Sequence, residues 1–240
     1  VNDRLKNELR AFLDGRVHPD FRRQRIGTFL FNWQQARAQQ IFAAYADDRP
    51  RILRADFFDR AEDAAQLFEQ HGFQYAWAED TFSRSLQDLF PPPPLPPGFH
   101  FDSWREETAA SFFAVYDDAF RTRPGFPGWT EDVWRPFYTN YDEFWPDWSL
   151  LLMAGDTAVA YAIVHLEPEG PWIVQMGVRQ AYRRQGLASA LIAELLGRFR
   201  AAGHETAWLG VNVNNPTARR AYERMGFGRV KRYTSYQKKL

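Results

Sequence analysis

The chain has 240 residues, 45% apolar and 25% charged, with 30 basic residues balancing 30 acidic ones and no cysteine. That length supports one generous core or two modest ones, and the lack of cysteine excludes a disulfide framework, a thiolate nucleophile and thiolate metal ligands. No apolar run approaches the ~18–20 residues of a membrane-crossing helix, no basic-then-apolar leader opens the sequence, and the aromatic-rich composition argues against disorder; the expectation is a soluble cytoplasmic protein.

The first boundary along the chain is Phe90-Pro-Pro-Pro-Pro-Leu-Pro-Pro-Gly98. Proline fixes φ and lacks a donor, so 91–98 reads as an extended linker between a region 1–90 and a region 99–240. Phe99–Trp104 then reads as a strand, and Glu106–Phe120 as a helix with Phe112, Phe113, Tyr116 and Phe120 at helical spacing. Residues 121–148 read as irregular or helical, broken by Pro124, Pro127, Pro136 and Pro146. Ser149–Met153 and Ala158–Leu166 form a hairpin across Ala154-Gly155-Asp156, and a turn through Pro168 and Gly170 leads into a strand Trp172–Val178. A helix runs through Arg200 with Leu187, Leu191, Ile192, Leu195, Leu196 and Phe199 on one face, and Gly203 is placed to end it. Thr206–Val213 is a strand, Pro216–Met225 a helix closed by Gly226, and Phe227–Lys239 a last hairpin or strand. Antiparallel hairpins giving way to strand–helix–strand units imply an α/β protein with a mixed sheet, α+β in character, and helices on its faces.

Charge is unevenly spread. Residues 101–148 carry four basic and ten acidic side chains among many aromatics, whereas 179–240 carry thirteen basic and three acidic. Such neighbours can bring a cationic and an anionic ligand to one cleft.

The chemistry-bearing pattern begins at Val178-Arg-Gln-Ala-Tyr-Arg183-Arg184-Gln185-Gly186-Leu187-Ala188-Ser189. A helix N-terminus exposes unpaired amides and a partial positive charge, and Gly186 and Ala188 let them approach a diphosphate with Arg183 and Arg184 close by. It is neither a Walker sequence nor a dinucleotide fingerprint. The second element is Asn215-Pro-Thr-Ala218-Arg-Arg-Ala-Tyr222-Glu-Arg-Met-Gly226-Phe227, which puts Ala218, Tyr222 and Gly226 on one helical face.

Together these segments resemble the GNAT superfamily of acyl-CoA-dependent N-acyltransferases. The resemblance covers roughly 99–240, with the specific motifs in 172–227. It implies acetyl-CoA as co-substrate, with the backbone of Arg184, Gln185, Gly186, Leu187, Ala188 and Ser189 cradling the pyrophosphate beside Arg183. It further implies backbone pairing of Met176 and Val178 with the pantetheine arm, a cofactor contact from Asn215, and Tyr222 as general acid to the departing thiolate, the amine attacking directly. Many relatives carry a glutamate early in the strand Trp172–Val178, and this chain has none. Gln175 takes no proton, His165, Glu167 and Glu169 lie just upstream, and no base is assigned.

The first 95 residues repeat these segments. Val17-His-Pro-Asp-Phe-Arg22-Arg23-Gln24-Arg25-Ile-Gly27 matches Val178 onward, 161 residues later, and Ala64-Ala-Gln-Leu-Phe68-Glu-Gln-His-Gly72-Phe73 matches Ala218 onward, 154 residues later. In this copy Arg25 stands for Gly186, Phe68 for Tyr222 and Ala61 for Asn215. The expectation is a GNAT-like fold in tandem, its first copy degenerate and incomplete, in an arrangement similar to the mycothiol-synthase-like branch. Only sixteen residues precede Val17, so a truncated chain is expected, with a second chain completing the sheet as a homodimer the alternative.

The functional expectation is an N-acetyltransferase acting on a small-molecule or peptide amine held near 101–148, with no metal, nucleic-acid or membrane partner. A non-catalytic acyl-CoA-binding or regulatory module is the rival reading. A nucleic-acid binder using the basic tail is a second rival, but no base-reading module is visible.

Overall fold

The computed structural model describes residues 8–58, 62–88, 95–123, 126 and 128–240. In chain order the elements are β1 (Leu9–Phe12), α1 (Ile26–Phe42), β2 (Arg51–Phe58), α2 (Glu62–Gln70), β3 (Gln74–Ser85), β4 (Phe99–Ser103), α3 (Ala109–Phe120), α4 (Glu131–Thr139), β5 (Leu150–Ala154), β6 (Thr157–Glu167), β7 (Gly170–Val178), α5 (Leu187–Ala201), β8 (Thr206–Asn212), α6 (Pro216–Arg224) and β9 (Gly228–Lys239). They fall into two compact units, neither contiguous in sequence. One holds the described residues up to Asp80 with Asn212–Asn214 and Lys231–Leu240; the other holds the described residues of Thr81–Val211 with Asn215–Val230. Each unit takes closing strand residues from the other half of the chain. Of the run itself, Pro91–Pro94 lie outside the described residues, as do Ala61, Pro124 and Pro127, while Leu95 packs on the core of the second unit.

In the first unit β1 lies parallel to β2, Leu9 opposite Arg51, and β2 runs antiparallel to β9 from Ile52–Lys239 to Phe58–Tyr233. Strand residues alternate faces, so Leu9, Ala11, Leu53 and Ala55 share one side and pack against Phe31, Ala38 and Phe42 of α1 and Phe68 of α2.

In the second unit the strand order is β8-β7-β6-β5-β4, with β7 parallel to β8 and the other neighbours antiparallel. Leu150, Leu152, Ala160, Ala162 and Val164 face α5 and Tyr222 of α6; Leu151, Tyr161 and Ile163 face Phe112 and Tyr116 of α3 and Trp134 of α4. Helices on both faces explain why β6 is buried without a break from Ala158 to His165. Gly155 takes φ +56° in the β5–β6 turn, and Gly203 takes φ +88° after α5, as the sequence pattern requires. One expectation fails. Pro136 does not break the chain but lies inside α4, where a missing donor costs about 3 kcal/mol; the burial of Val133 and Trp134, three and two residues earlier, holds the helix, which runs to Thr139 and is capped by Asn140.

The internal repeat is legible bond by bond. His18 and Arg179 enter their loops at φ/ψ −53°/140° and −51°/143°, a one-turn 3-10 helix follows each (Pro19–Phe21, Gln180–Tyr182), and Arg22 and Arg183 leave at −68°/162° and −69°/159°. Arg23 and Arg184 both take φ +63°, and Arg25 (+63°, 5°) and Gly186 (+78°, 0°) precede the helices. At the second motif the amides of Phe73 and Phe227 donate to Phe68 and Tyr222 carbonyls at 3.0 Å each, and Gly72 and Gly226 take φ +82° and +83°.

Candidate active site

The glycine turn is anchored from below. The Gln180 amide donates to Asp118 Oδ2 at 2.8 Å, the Gln180 side chain to the Asp118 carbonyl at 2.9 Å, and the Arg179 amide to the Val159 carbonyl at 2.8 Å. Arg183 is tied down as well, donating to the carbonyls of Ala119 at 2.6 Å and Val178 at 3.3 Å. Arg184 and Gln185 are exposed, and Gln185 reaches the Ala181 carbonyl at 3.5 Å. Ala190 donates to the Gly186 carbonyl and opens the helical ladder. Among the described residues the amides of Arg184, Gln185, Gly186, Leu187, Ala188 and Ser189 donate to no backbone carbonyl, which leaves a run of donors at the positive end of the 15-residue α5. A Cβ at Gly186 would meet nothing within 4 Å. Glycine is there for its positive φ, and the space over the turn is open. Arg25 shows that the same backbone forms without glycine, so the first copy differs in the side chain it adds rather than in the loop.

Beside this turn, β7 and β8 part. They pair at Trp172–Trp208 and Ile173–Leu209, where the two indoles stack 5.7 Å apart, and no later pair joins them among the described residues. The register with β6 slips between Ile163–Gln175 and Val164–Ile173, leaving Val174 as a bulged residue. From Val174 to Val178 the β7 edge away from β6 is unpaired. It carries Met176, opposite Ala162, and Val178, opposite Ala160. The unpaired edge and the unpaired amides are a fit for a strand-like chain ending in a diphosphate.

On α6, Tyr222 is 8% exposed, buried with Leu187, Leu191 and Val211, its ring 6.2 Å from that of Phe227. Asn215 is the N-cap of α6: its Oδ1 accepts from the Ala218 amide at 3.1 Å, with Pro216 at the first helical position. Capping, a role the sequence reading did not give it, occupies the Asn215 oxygen.

Across the sheet from Tyr222, Gln175 is held by three hydrogen bonds. Trp134 Nε1 donates to its Oε1 at 2.8 Å, the Tyr161 hydroxyl donates to the same oxygen at 2.7 Å, and Gln175 Nε2 donates to the Tyr138 hydroxyl oxygen at 2.7 Å. Burial pushes the Tyr161 phenol well above its ordinary value and raises that of Tyr116 too, so both stay neutral. Gly177 packs tightly here: a Cβ would lie 2.9 Å from both Ala119 Cβ and Tyr161 Cε1.

A model of the acetyltransferase (GNAT) family matches residues 74–227, more than half of the chain. The chain belongs to the GNAT acetyltransferase family. A mycothiol acetyltransferase of Salinispora arenicola is 30% identical over 233 residues, 92% of this chain and 71% of that protein. A GCN5-related N-acetyltransferase from Sphaerobacter thermophilus superposes with TM-score 0.80 at 24% identity, covering all of this chain and 75% of that one. A tandem GNAT protein from the clavulanic acid biosynthesis pathway gives TM-score 0.71 at 16% identity, over 97% and 75%. At those identities the two structures bear on the fold alone, a GNAT fold and, in the second, a tandem one. As a GNAT acetyltransferase the chain is an enzyme that moves an acyl group from acetyl-CoA to an amine.

For this GNAT chain the acidic stretch keeps its excess of six acidic residues while most of its cations are paired within it. Asp102 pairs with Arg105, Asp117 with Arg121 and Glu106 with Arg135, so three of its four cations neutralise local acids. His165 is a buried strand histidine whose Nε2 bonds the Tyr138 carbonyl at 2.8 Å; it sits opposite Trp172, where β7 and β8 are still paired. The Gln175 network left no sequence signal beyond aromatics at helical spacing, because its partners come from α4 and β6, 41 and 14 residues away. No helix of the described residues is long and apolar enough to cross a membrane.

Proposed function

We propose that acetyl-CoA binds the second unit with its pyrophosphate on the amides of Arg184–Ser189 and its pantetheine arm along Met176 and Val178, and that an amine attacks the thioester directly. The observation that carries this is the run of unpaired donors at α5 lying next in the chain to the unpaired edge of β7. Bound acetyl-CoA supplies the activated acyl group. Arg184 adds charge near the diphosphate, Arg183 and Gln180 hold the turn in shape, and Asn215 fixes the start of α6 while its side-chain nitrogen remains for a cofactor contact. Tyr222, on that helix, gives its hydroxyl proton to the departing thiolate. The first unit, with Arg25 and Phe68 in the corresponding places, serves structure rather than chemistry. In this reading regions 1–90 and 99–240 are the two ancestral copies joined by 91–98, the acceptor is a small-molecule or peptide amine entering on the side of residues 101–148, and the protein works in the cytoplasm, with a homodimer as one assembly. The mycothiol acetyltransferase of Salinispora arenicola supports acyl transfer to an amine without fixing which amine.

The test is amine-dependent release of coenzyme A thiol by the wild-type protein and by Tyr222→Phe. Loss of a general acid lowers the rate by about 10²–10⁴ while acetyl-CoA binding persists. Equal rates would assign Tyr222 to the core alone, and acetyl-CoA binding without any amine-dependent thiol release would favour a non-catalytic binding module.

A further inference from the structure

The unpaired stretch of β7 carries one polar side chain that the chemistry above leaves unused. The bulge at Val174 changes the phase of the strand: Ile173 belongs to the buried cluster under α5, Val174 packs with the aromatic cluster under α3 and α4, and Gln175 turns to that same side to meet Trp134 and Tyr161. The three hydrogen bonds fix the carboxamide, oxygen toward two donors and nitrogen toward Tyr138.

The groups around it are neutral. Its partners are an indole and two phenols, with Tyr116 stacked on Trp134 at 5.3 Å. The titratable groups on the packed elements are spoken for or set apart. On α3, Asp117 pairs with Arg121 and Asp118 accepts from Gln180. On α4, Arg135 pairs with Glu106, and Glu131 and Asp132 lie in the first turn, ahead of Trp134. On β6, His165 is bonded to the Tyr138 carbonyl and lies opposite Trp172, three residues before Gln175 or about 10 Å along the strand, and Glu167 lies further still. Between Gly170 and Val178, β7 has no ionisable residue.

We propose that Gln175 is a positioning residue that keeps the acceptor side of β7 rigid and uncharged, so that the amine must shed its ammonium proton to solvent before it attacks. This rests on the reading of the second unit as the acetyl-transfer site. In the reaction the ammonium loses one proton to water, the free amine's lone pair forms the C–N bond as the C–S bond breaks, a second nitrogen proton leaves to solvent, and the thiolate is protonated from Tyr222, which takes a proton back from water. The site then prefers weakly basic amines. At pH 7 about a tenth of an α-amine near pKa 8 is neutral, against roughly 0.04% of a lysine-type ε-amine near 10.4, a gap of roughly 2.5 pH units.

The experiment measures kcat/KM against pH for acetyl transfer to alanine amide and to the ε-amine of Nα-acetyl-lysine amide, with wild type and Gln175→Glu. In wild type each profile rises about tenfold per pH unit and bends at the pKa of that acceptor, so the two bends differ. Gln175→Glu keeps three potential donors around a carboxylate and adds a base, so both profiles gain a shared limb below neutral pH and transfer at about pH 6 rises roughly tenfold relative to the plateau. A single bend common to both acceptors in wild type overturns the role of Gln175 and leaves the acetyl-transfer site standing. If acetyl-CoA stabilises the protein but neither amine releases thiol, the acetyl-transfer reading falls and this one with it. Should Gln175→Glu lose its acetyl-CoA thermal shift through misfolding, the two wild-type profiles decide.

Discussion

Writing the first copy's defect into the second is a direct probe of the turn. Gly186→Arg places a side chain where the Cβ meets nothing within 4 Å, so no neighbour must move; the folding penalty is the left-handed φ of +78°, about 1 kcal/mol for a non-glycine residue. Arg25 bears nearly the same conformation at φ +63° and ψ 5°, so the variant should fold, with its melting temperature lowered by roughly 2–4 °C. Ligand response is the sharper readout. At acetyl-CoA 100-fold above Kd the wild type gains about 2.7 kcal/mol, roughly 5–11 °C. If the arginine side chain blocks the amides and weakens binding about 100-fold, the same concentration gives about 0.4 kcal/mol, a shift of about 1–2 °C. Gly186→Ala separates the two effects: it bears the same backbone penalty and should keep most of the ligand response. Thermal unfolding with and without acetyl-CoA measures all three proteins. Equal ligand shifts for wild type and Gly186→Arg would refute a cradle at this turn.

Three further outcomes follow from the second unit. Gly177→Ala drives a methyl to 2.9 Å from Ala119 and Tyr161 and should destabilise by roughly 1–3 kcal/mol, visible as a lower denaturant midpoint at unchanged m-value. Asn215→Ala removes the oxygen that caps α6 and should cost about 1 kcal/mol in chemical denaturation, with Asn215→Asp restoring most of it. The hydrogen bond from Arg105 holds the Asp102 carboxyl below its ordinary value, so this pair contributes stability above the unfolded carboxylate pKa near 4 and loses it as pH falls through the lower folded value; melting temperatures of wild type and Asp102→Asn should therefore converge on acidification, and a constant gap would contradict the assignment.

Much of the site was readable because its residues act through local backbone geometry. A glycine before a helix, a proline after Asn215 and a glycine after Met225 are instructions executed within a few residues; the first copy repeats the last of them at Gly72 and reaches the first turn's angles with Arg25 in place of glycine. What sequence reading missed needs partners from afar. The Gln175 network was not readable because its partners lie 41, 14 and 37 residues away in the chain. Pro136 read as a break because local preference does not weigh the burial of Trp134 two residues before it.

By itself the sequence determined the element types, the repeat, the turn that exposes the α5 amides and the family, since hydrophobic period, glycine placement and helix-end chemistry are properties of neighbouring residues. Tertiary structure alone decided that residues 231–240 complete the first unit and 81–88 the second, that β7 parts from β8 after Ile173, and that Gln175 is locked between an indole and two phenols. Strand pairing and buried hydrogen bonds join residues far apart in the chain, and which of the many compatible partners meet is settled only when the whole core is packed.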